Sequence, residues 1–258
     1  MIHGNGGASS RFAPFLEIAQ QSEIDYEVVL PALPGFEGRP LPPADDYWGL
    51  FLGTLEQTIL NAGANAEWIL YGHGIGGSLL LEWAARDWKL TGETGWQPQA
   101  VILHSCIGAS LQARWFPKLM KPLWVRRLIQ RLVHTPALQP VWERRLFLDP
   151  ASIPAAQRHQ FFQDYARCAA FTVLFDLITV PWYRSVQQRI GHRHFYFLWG
   201  DQERVVASRH LALWQKDFPE SSFEVIPDWD HFPMLEQPVA FFRTLTDRLA
   251  QTDKIAWY

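Results

Sequence analysis

The chain of 258 residues has only two cysteines, Cys106 and Cys168, and a net charge of −3 at pH 7. Two cysteines are too few for a disulfide framework and lack the spacing of a metal site, so the sequence predicts a reducing, cytoplasmic compartment. The small net charge gives no general attraction to nucleic acid. The sequence also lacks an apolar run of about 18 residues, the length typical of a membrane span. We therefore expect no nucleic-acid binding and no membrane-spanning helix.

Hydrophobic residues make up 48% of the chain, which is enough for a substantial buried core. Apolar, β-rich runs predict strands at residues 26–30, 68–71, 100–104, 194–199 and 223–226. Helical patterns around them predict helices at residues 10–21, 44–61, 75–87, 208–218 and 238–251. This alternation is typical of an α/β fold, in which a mainly parallel sheet is covered by helices on both faces.

The alternation stops between residues 108 and 185, where proline interrupts helical stretches rich in Trp, Phe and Arg. This change predicts a helical cap inserted between two core parts, at residues 1–107 and 186–258. The cap contains 11 Lys or Arg and 4 Asp or Glu, so its charge is +7 whereas that of the remainder is −10. Since a glycine-rich loop at residues 3–7 normally follows a full strand, we also expect the first strands to be missing upstream.

The turn after the predicted strand at 68–71 has the sequence GHGIG, at residues 72–76. The pattern G-x-S-x-G is typical of a nucleophile elbow, a strained strand-to-helix turn that holds a serine at the edge of a sheet. Gly74 stands in the place of that serine. Glycine relieves a backbone strain of roughly 1–3 kcal/mol in such a turn but brings no hydroxyl group. Nearby Ser78, Ser105 and Cys106 are better interpreted as packing residues than as substitute nucleophiles.

Four further segments accompany this turn: HGNGG at 3–7, LPGFEGR at 33–39, WGDQERVV at 199–206 and DHFPMLEQP at 230–238. Together and in this order they resemble the α/β-hydrolase family, in the branch with a helical cap. The resemblance covers nearly the whole chain. It implies an α/β-hydrolase fold that requires no metal and no organic cofactor.

The resemblance also implies the positions of the site residues. The chain order of nucleophile, acid and histidine in this family corresponds to Gly74, Glu203 and His231, with Asp201 as the reserve acid. The oxyanion hole would consist of the backbone N–H groups of Asn5 and Ile75, since the family takes one N–H from the early glycine-rich loop and one from the residue after the nucleophile.

A carboxylate beside a histidine fixes one tautomer of the ring, and the histidine then takes a proton from the attacking group. Such a pair can activate water as well as serine. The resemblance thus implies a protein of esterase, lipase or lactonase ancestry that acts on or binds an apolar acyl-type small molecule. Two alternatives stay open: a non-catalytic ligand-binding or scaffold protein on this fold, and an engineered Ser-to-Gly variant of an active serine hydrolase.

The cap contains ten aromatic residues that either line an apolar pocket against the sheet or hold the cap together. They are Trp115, Phe116, Trp124, Trp142, Phe161, Phe162, Tyr165, Phe171, Phe175 and Trp182. Residues 118–131, KLMKPLWVRRLIQR, alternate apolar and basic positions at helical spacing. This pattern fits peripheral contact with an anionic membrane, and it equally fits a cap helix with a solvated basic face.

Overall fold

The computed structural model describes residues 1–22, 24 and 26–252. Within these residues the sheet has four parallel strands in the order β1-β2-β3-β4. The strands are β1 (Ile69–His73), β2 (Ala100–His104), β3 (Tyr196–Gly200) and β4 (Ser222–Ile226). The sequence predictions at 68–71, 100–104, 194–199 and 223–226 are therefore confirmed to within two residues.

β1 and β2 pair along their whole length, with His73 opposite His104. The last residues of β2 pair with the first residues of β3, with His104 opposite Leu198. Because parallel strands end at the same edge of a sheet, the loops that follow β1, β2 and β3 begin side by side. This edge is where the residues predicted for the site leave the sheet.

The helices follow in chain order. They are α1 (Ala13–Gln20), α2 (Tyr47–Ala62), α3 (Ile75–Ala85), α4 (Phe116–Leu119), α5 (Leu123–Val133), α6 (Gln139–Leu146), α7 (Ala155–Ala166), α8 (Leu174–Leu177), α9 (Val180–Ile190), α10 (Leu211–Asp217), α11 (Pro233–Glu236) and α12 (Pro238–Thr252). The predicted helix at 10–21 begins with a separate 3-10 turn, Ser9–Phe12, before α1. No described helix is both long and apolar enough to cross a bilayer.

Successive strand residues point to opposite faces of the sheet, so each strand contributes to two hydrophobic clusters. In β2, Val101 and Leu103 pack into the cluster that includes residues of α2 and α3. Ile102, between them, packs into the cluster that includes residues of α1 and α12. Both faces of the parallel sheet are thus covered by helices, as the alternation predicts.

The predicted strand at residues 26–30 is wrong. These residues form no strand, and their side chains are exposed or only partly buried. A strand exists only when its backbone groups pair with a neighbour along their length. Here the backbone contact is the N-terminal ammonium of Met1, which donates to the Val29 carbonyl at 2.7 Å. Ile2 forms an isolated parallel bridge with Gly72 and so takes the edge position beside β1.

Helices α4 to α9 lie between β2 and β3, in the part of the chain predicted to form the cap. The last of them, α9, continues to Ile190 and packs against α3 of the core. The division of the chain at residues 107 and 185 remains a prediction. Residues 253–258, at the end of the second core part, lie outside the described residues.

Candidate active site

Gly74 lies in the tight turn that joins β1 to α3, with φ 55° and ψ −115°. The flanking glycines allow this turn, since a Cβ at Gly72 would lie 2.5 Å from the Gly76 carbonyl carbon. A Cβ at Gly76 would lie 2.5 Å from the Ile2 carbonyl oxygen. Both contacts are shorter than van der Waals distance, so these two positions require glycine.

The space around Gly74 itself is open. Among the described residues, a Cβ built on Gly74 would have two neighbours within 4 Å, the Gly4 Cα at 3.6 Å and the His231 Nε2 at 4.0 Å. Both are at ordinary contact distance. A side chain at position 74 would therefore fit and would point toward the His231 ring.

Glu203 and His231 form a buried hydrogen-bonded pair. The Glu203 Oε2 lies 2.7 Å from His231 Nδ1, and the same oxygen accepts the Ser105 hydroxyl at 2.5 Å. The other oxygen, Oε1, accepts the backbone N–H groups of Val205 at 2.6 Å and Val206 at 2.9 Å. Each of the two Glu203 oxygens thus has two hydrogen-bond partners.

These contacts determine the ionisation of Glu203. Burial by itself would raise the pKa of Glu203, but the charge of His231 and the hydrogen bonds to the carboxylate outweigh burial. The pKa of Glu203 consequently lies well below its usual range, and the carboxylate is ionised at neutral pH. An ionised carboxylate only accepts hydrogen bonds, so the Nδ1 of a neutral His231 carries the proton. Its Nε2, which faces the position above Gly74, is then the basic nitrogen.

The reserve acid, Asp201, does not approach the histidine. It lies on the surface, where its carboxylate accepts the Asp228 N–H at 2.8 Å. The buried Asp230 carboxylate is also engaged elsewhere, with the backbone N–H of His231 at 2.8 Å and the Arg204 guanidinium at 2.7 Å. Of these three carboxylates, only Glu203 contacts the ring of His231.

Asn5 and Ile75 line the same cavity as Gly74 and His231. Ile75 is the first residue of α3, so its N–H has no partner within the helix, and the helix N-terminus favours a negative charge. The Asn5 side chain donates to the Phe171 carbonyl of the cap at 3.3 Å, while its buried Oδ1 accepts no hydrogen bond from any described residue. The structure therefore brings both predicted oxyanion donors to the elbow.

The sequence analysis did not predict that Ser105 and Arg11 hydrogen-bond to the segments that form the site. Ser105, directly after β2, has a positive φ of 47° that aims its hydroxyl at Glu203. Arg11 is buried and donates to the carbonyl of Gly6, in the early glycine-rich loop, at 2.9 Å. Its guanidinium stacks 3.6 Å from the ring centre of Phe161. A small polar residue at the end of a central strand was the one local signal for Ser105, whereas Arg11 gave none.

His73 lies beneath the elbow, with its Nε2 2.9 Å from the His231 carbonyl oxygen. Burial, reinforced by the neighbouring His231 and His104 rings, holds the pKa of His73 well below its usual range. The ring is therefore neutral and positions the His231 loop. No group of three or more His, Cys, Asp or Glu side chains among the described residues is arranged to hold a metal ion.

The other nearby hydroxyl and thiol groups are occupied or unreactive. The Ser78 hydroxyl is buried and donates to the Ile107 carbonyl at 2.7 Å. Cys106 is free and buried, and burial raises the pKa of its thiol well above the usual range. Neither side chain lines the cavity above Gly74.

The cavity has a volume of about 780 Å³ and extends from Gly74 and His231 into the cap. Half of the ten cap aromatics line it: Phe116, Trp142, Tyr165, Phe171 and Phe175. Phe161, Phe162 and Trp182 are instead buried in the packing, and Trp115 and Trp124 are exposed. The cavity is thus an apolar pocket between cap and sheet, with the histidine at one end.

Comparison with known proteins assigns the family. The family described as "Alpha/beta hydrolase family" matches residues 1–244, which is nearly the whole chain. A search among curated proteins found no match. The similar solved structures share at most 20% sequence identity in the examples that follow, so they establish the fold alone.

Three crystal structures show this similarity. A bacterial membrane phospholipase A has a TM-score of 0.72 and 20% identity, over 98% of this chain and 78% of its own. A carboxylesterase of Nitrososphaera gargenis has a TM-score of 0.70 and 17% identity, over 98% and 89%. An esterase from Rhodococcus sp. ECU1013 has a TM-score of 0.69 and 16% identity, over 97% and 89%. The chain has the α/β-hydrolase fold and belongs to the alpha/beta hydrolase family.

Proposed function

We propose that this chain hydrolyses an apolar acyl-type small molecule by direct attack of water, with Gly74 standing where the family has its serine nucleophile. The observation that carries the proposal is the position of the Glu203–His231 pair. Its basic Nε2 faces open space above Gly74, at the end of an apolar cavity. Of the ancestries that the resemblance implies, that of an esterase fits the carboxylesterase and the esterase to which the chain is structurally similar.

The contacts of the pair support retained proton-transfer chemistry. Glu203 is only 5% exposed and His231 only 6% exposed, and burying a charged carboxylate is costly unless it is hydrogen-bonded. Here four donors satisfy the carboxylate, one of them the histidine itself. A protein that only binds a ligand has no chemical need for such a pair.

In the reaction that this arrangement supports, water attacks the substrate directly. His231 Nε2 takes a proton from a water molecule as the water oxygen bonds to the acyl carbon. The resulting oxyanion is bound by the N–H groups of Asn5 and Ile75. The bond to the leaving alcohol then breaks, and His231 returns the proton to that alcohol. The products are a carboxylic acid and an alcohol, and no acyl-enzyme forms.

This route should be slow. Loss of a serine nucleophile typically lowers turnover by about 10⁶, while binding and the oxyanion hole still provide roughly 10³–10⁴ over the reaction in water. We expect the unmodified chain to accelerate hydrolysis by roughly 10³–10⁴ over the reaction in water. The best substrate should be the one whose acyl chain fits the cavity.

The test is hydrolysis of a graded series of acyl esters and lactones by the unmodified chain, Gly74→Ser, and His231→Ala in both backgrounds. His192→Ala is a matched control, because His192 lies on the surface and its ring hydrogen-bonds to Glu220, away from the cavity. The proposal predicts slow turnover by the unmodified chain that requires His231 but not His192. Intact-mass analysis should show an acyl-enzyme in Gly74→Ser only.

Other results would overturn the water mechanism. Activity in Gly74→Ser alone would identify a hydrolase site that lacks only its nucleophile, as expected of an engineered variant or a binding protein. Inactivity of both forms toward the whole series would favour a non-catalytic ligand-binding or scaffold protein.

A further inference from the structure

Helix α5 has one face toward the cavity and another toward solvent. Ile129 and Val133 line the cavity that contains Gly74 and His231. On the opposite side of the same helix, Trp124 and Leu128 face solvent at a spacing of one turn. The helix is therefore a wall with the cavity on one side and the outer surface of the cap on the other.

The outer surface around α5 exposes large apolar side chains. Trp115 is 70% exposed and Trp124 is 68% exposed, and Leu119, Leu123 and Leu128 are each more than 40% exposed. We call the exposed side chains between residues 115 and 131 the cap face. Large apolar side chains grouped on one surface mark an interaction site. Tryptophan in particular favours the boundary between lipid and water, because it combines an apolar ring with an N–H donor.

The charge of the cap face has a single sign. Lys118, Lys121, Arg127 and Arg131 are exposed, and residues 115–131 contain no Asp or Glu. Among the described residues, none of these four has an ion-pair partner. Arg126 of the same helix differs, because it is buried and paired with Asp176. The four exposed cations are thus available to an external anion.

The cap face adjoins the cavity. Lys118 and Lys121 are exposed on the surface and also line the cavity, as do Phe116 and Pro117. The cavity therefore reaches the surface at the edge of the cap face. A molecule held at this surface by its charged head would have its apolar part beside the opening.

We propose that the cap face docks on a lipid bilayer that carries anionic headgroups. Such a bilayer has negatively charged headgroups, which attract the exposed cations of the cap face. It also has an apolar acyl boundary, which accepts the tryptophans and the other apolar side chains. Docking places the cavity opening at the bilayer. This inference goes beyond the proposed hydrolysis and does not require turnover, so the two are tested separately.

The experiment is co-sedimentation of the full chain with vesicles of phosphatidylcholine alone or mixed with phosphatidylserine. The proposal predicts binding that requires the anionic lipid and decreases as salt is raised. Arg127→Gln with Arg131→Gln should weaken binding roughly 30-fold, at about fivefold per charge. Trp124→Ala should weaken it about tenfold or more.

Two matched controls distinguish the cap face from general charge and hydrophobicity. Lys216→Gln with Arg243→Gln removes the same charge from exposed positions on α10 and α12. Leu213→Ala truncates an exposed apolar side chain on α10. Both controls should bind vesicles like the unmodified chain, and circular dichroism should show that all variants are folded.

Three results would overturn the proposal. These are equal binding to neutral vesicles, absence of binding to anionic vesicles, and equal loss in the cap-face and control variants. Light scattering that shows a dimer abolished by Trp124→Ala, without vesicle binding, would assign the cap face to a second copy of the chain instead.

Discussion

Substitution of Gly74 tests whether the elbow still accepts a side chain. A residue with a Cβ at φ 55° incurs backbone strain of about 1–3 kcal/mol. No steric cost is added, because the nearest atoms to the new Cβ lie at 3.6 Å and 4.0 Å. For a domain of this size, each kcal/mol lowers Tm by roughly 2–4 °C. Gly74→Ala should therefore fold and melt roughly 2–12 °C below the unmodified chain.

Gly191 provides a matched control for this strain. It has φ 66° and ψ −144°, close to the backbone of Gly74, and a Cβ there would have no neighbour within 4 Å in the part of the chain that the structure describes. The effect of the substitution on the unfolded chain is the same for both and cancels in the comparison. Gly74→Ala and Gly191→Ala should lower the free energy of unfolding by amounts that agree within about 1 kcal/mol, measured by urea denaturation.

Serine at position 74 should be tolerated better than alanine. Its hydroxyl would lie within reach of His231 Nε2, and a hydrogen bond of this kind contributes about 0.5–1.5 kcal/mol. Gly74→Ser should therefore unfold at higher urea than Gly74→Ala. Failure of Gly74→Ala to fold, or a loss above about 4 kcal/mol while Gly191→Ala is mild, would refute the open space above the elbow.

Two further predictions concern buried polar groups. Burial raises the pKa of Glu236 to about 7, and the carboxylate accepts the N–H of Asp149 from the cap at 2.7 Å. The raised pKa means that folding favours the protonated form, so this group destabilises the fold as pH rises from about 5 to 8. Glu236→Gln should raise Tm more at pH 8 than at pH 5.5, and an equal change at both would contradict this. Ser105→Ala should lower the free energy of unfolding, measured in urea, by about 1.5–3 kcal/mol. It should also move acid unfolding to higher pH, because the Ser105 hydrogen bond helps to lower the pKa of Glu203, and the lowered pKa stabilises the fold only while the carboxylate is ionised. Ser110→Ala is its control, since the buried Ser110 hydroxyl has no hydrogen-bond partner among the described residues. An equal loss in Ser110→Ala would count against the Ser105 contact.

The elbow and the acid–histidine pair could be predicted because their signals are local. Glycine at position 72 is required by a close backbone contact within the turn itself, and glycine at position 76 by the nearby carbonyl of Ile2. Glu203 and His231 each follow a strand that a short apolar run defines. Their chain order with Gly74 matches the order of nucleophile, acid and histidine in the α/β-hydrolase family, and this resemblance implied that they lie at one edge of the sheet.

The parts that could not be predicted depend on contacts between distant segments. Residues 26–30 have the composition of a strand, but pairing depends on the neighbouring chain, and Ile2 occupies the edge beside Gly72. Ser105 approaches Glu203 only because β2 and β3 are adjacent. Burial of Arg11 depends on the cap helix that carries Phe161. The periodicity of residues within one segment does not predict such contacts with another segment.

Composition alone also could not predict which cap aromatics line the cavity, which are packed against other side chains and which face solvent. Trp142 and Tyr165 line the cavity, whereas Trp182 stacks on Trp48 with ring centres 5.1 Å apart. Trp124 points to solvent from the helix whose other face lines the cavity. The face on which each ring lies depends on how the cap helices pack on the core, which the spacing of aromatic residues does not determine.

The most direct test of the central claim is covalent labelling at position 74. A fluorophosphonate reacts with a serine hydroxyl only when a base activates it and an oxyanion site receives the phosphonyl oxygen. Intact-mass and peptide analysis of Gly74→Ser should show one adduct on residue 74 that disappears when His231→Ala is added, and the unmodified chain should remain unlabelled. Absence of an adduct in folded Gly74→Ser, or labelling of another serine in the unmodified chain, would contradict the assignment of Gly74 as the nucleophile position.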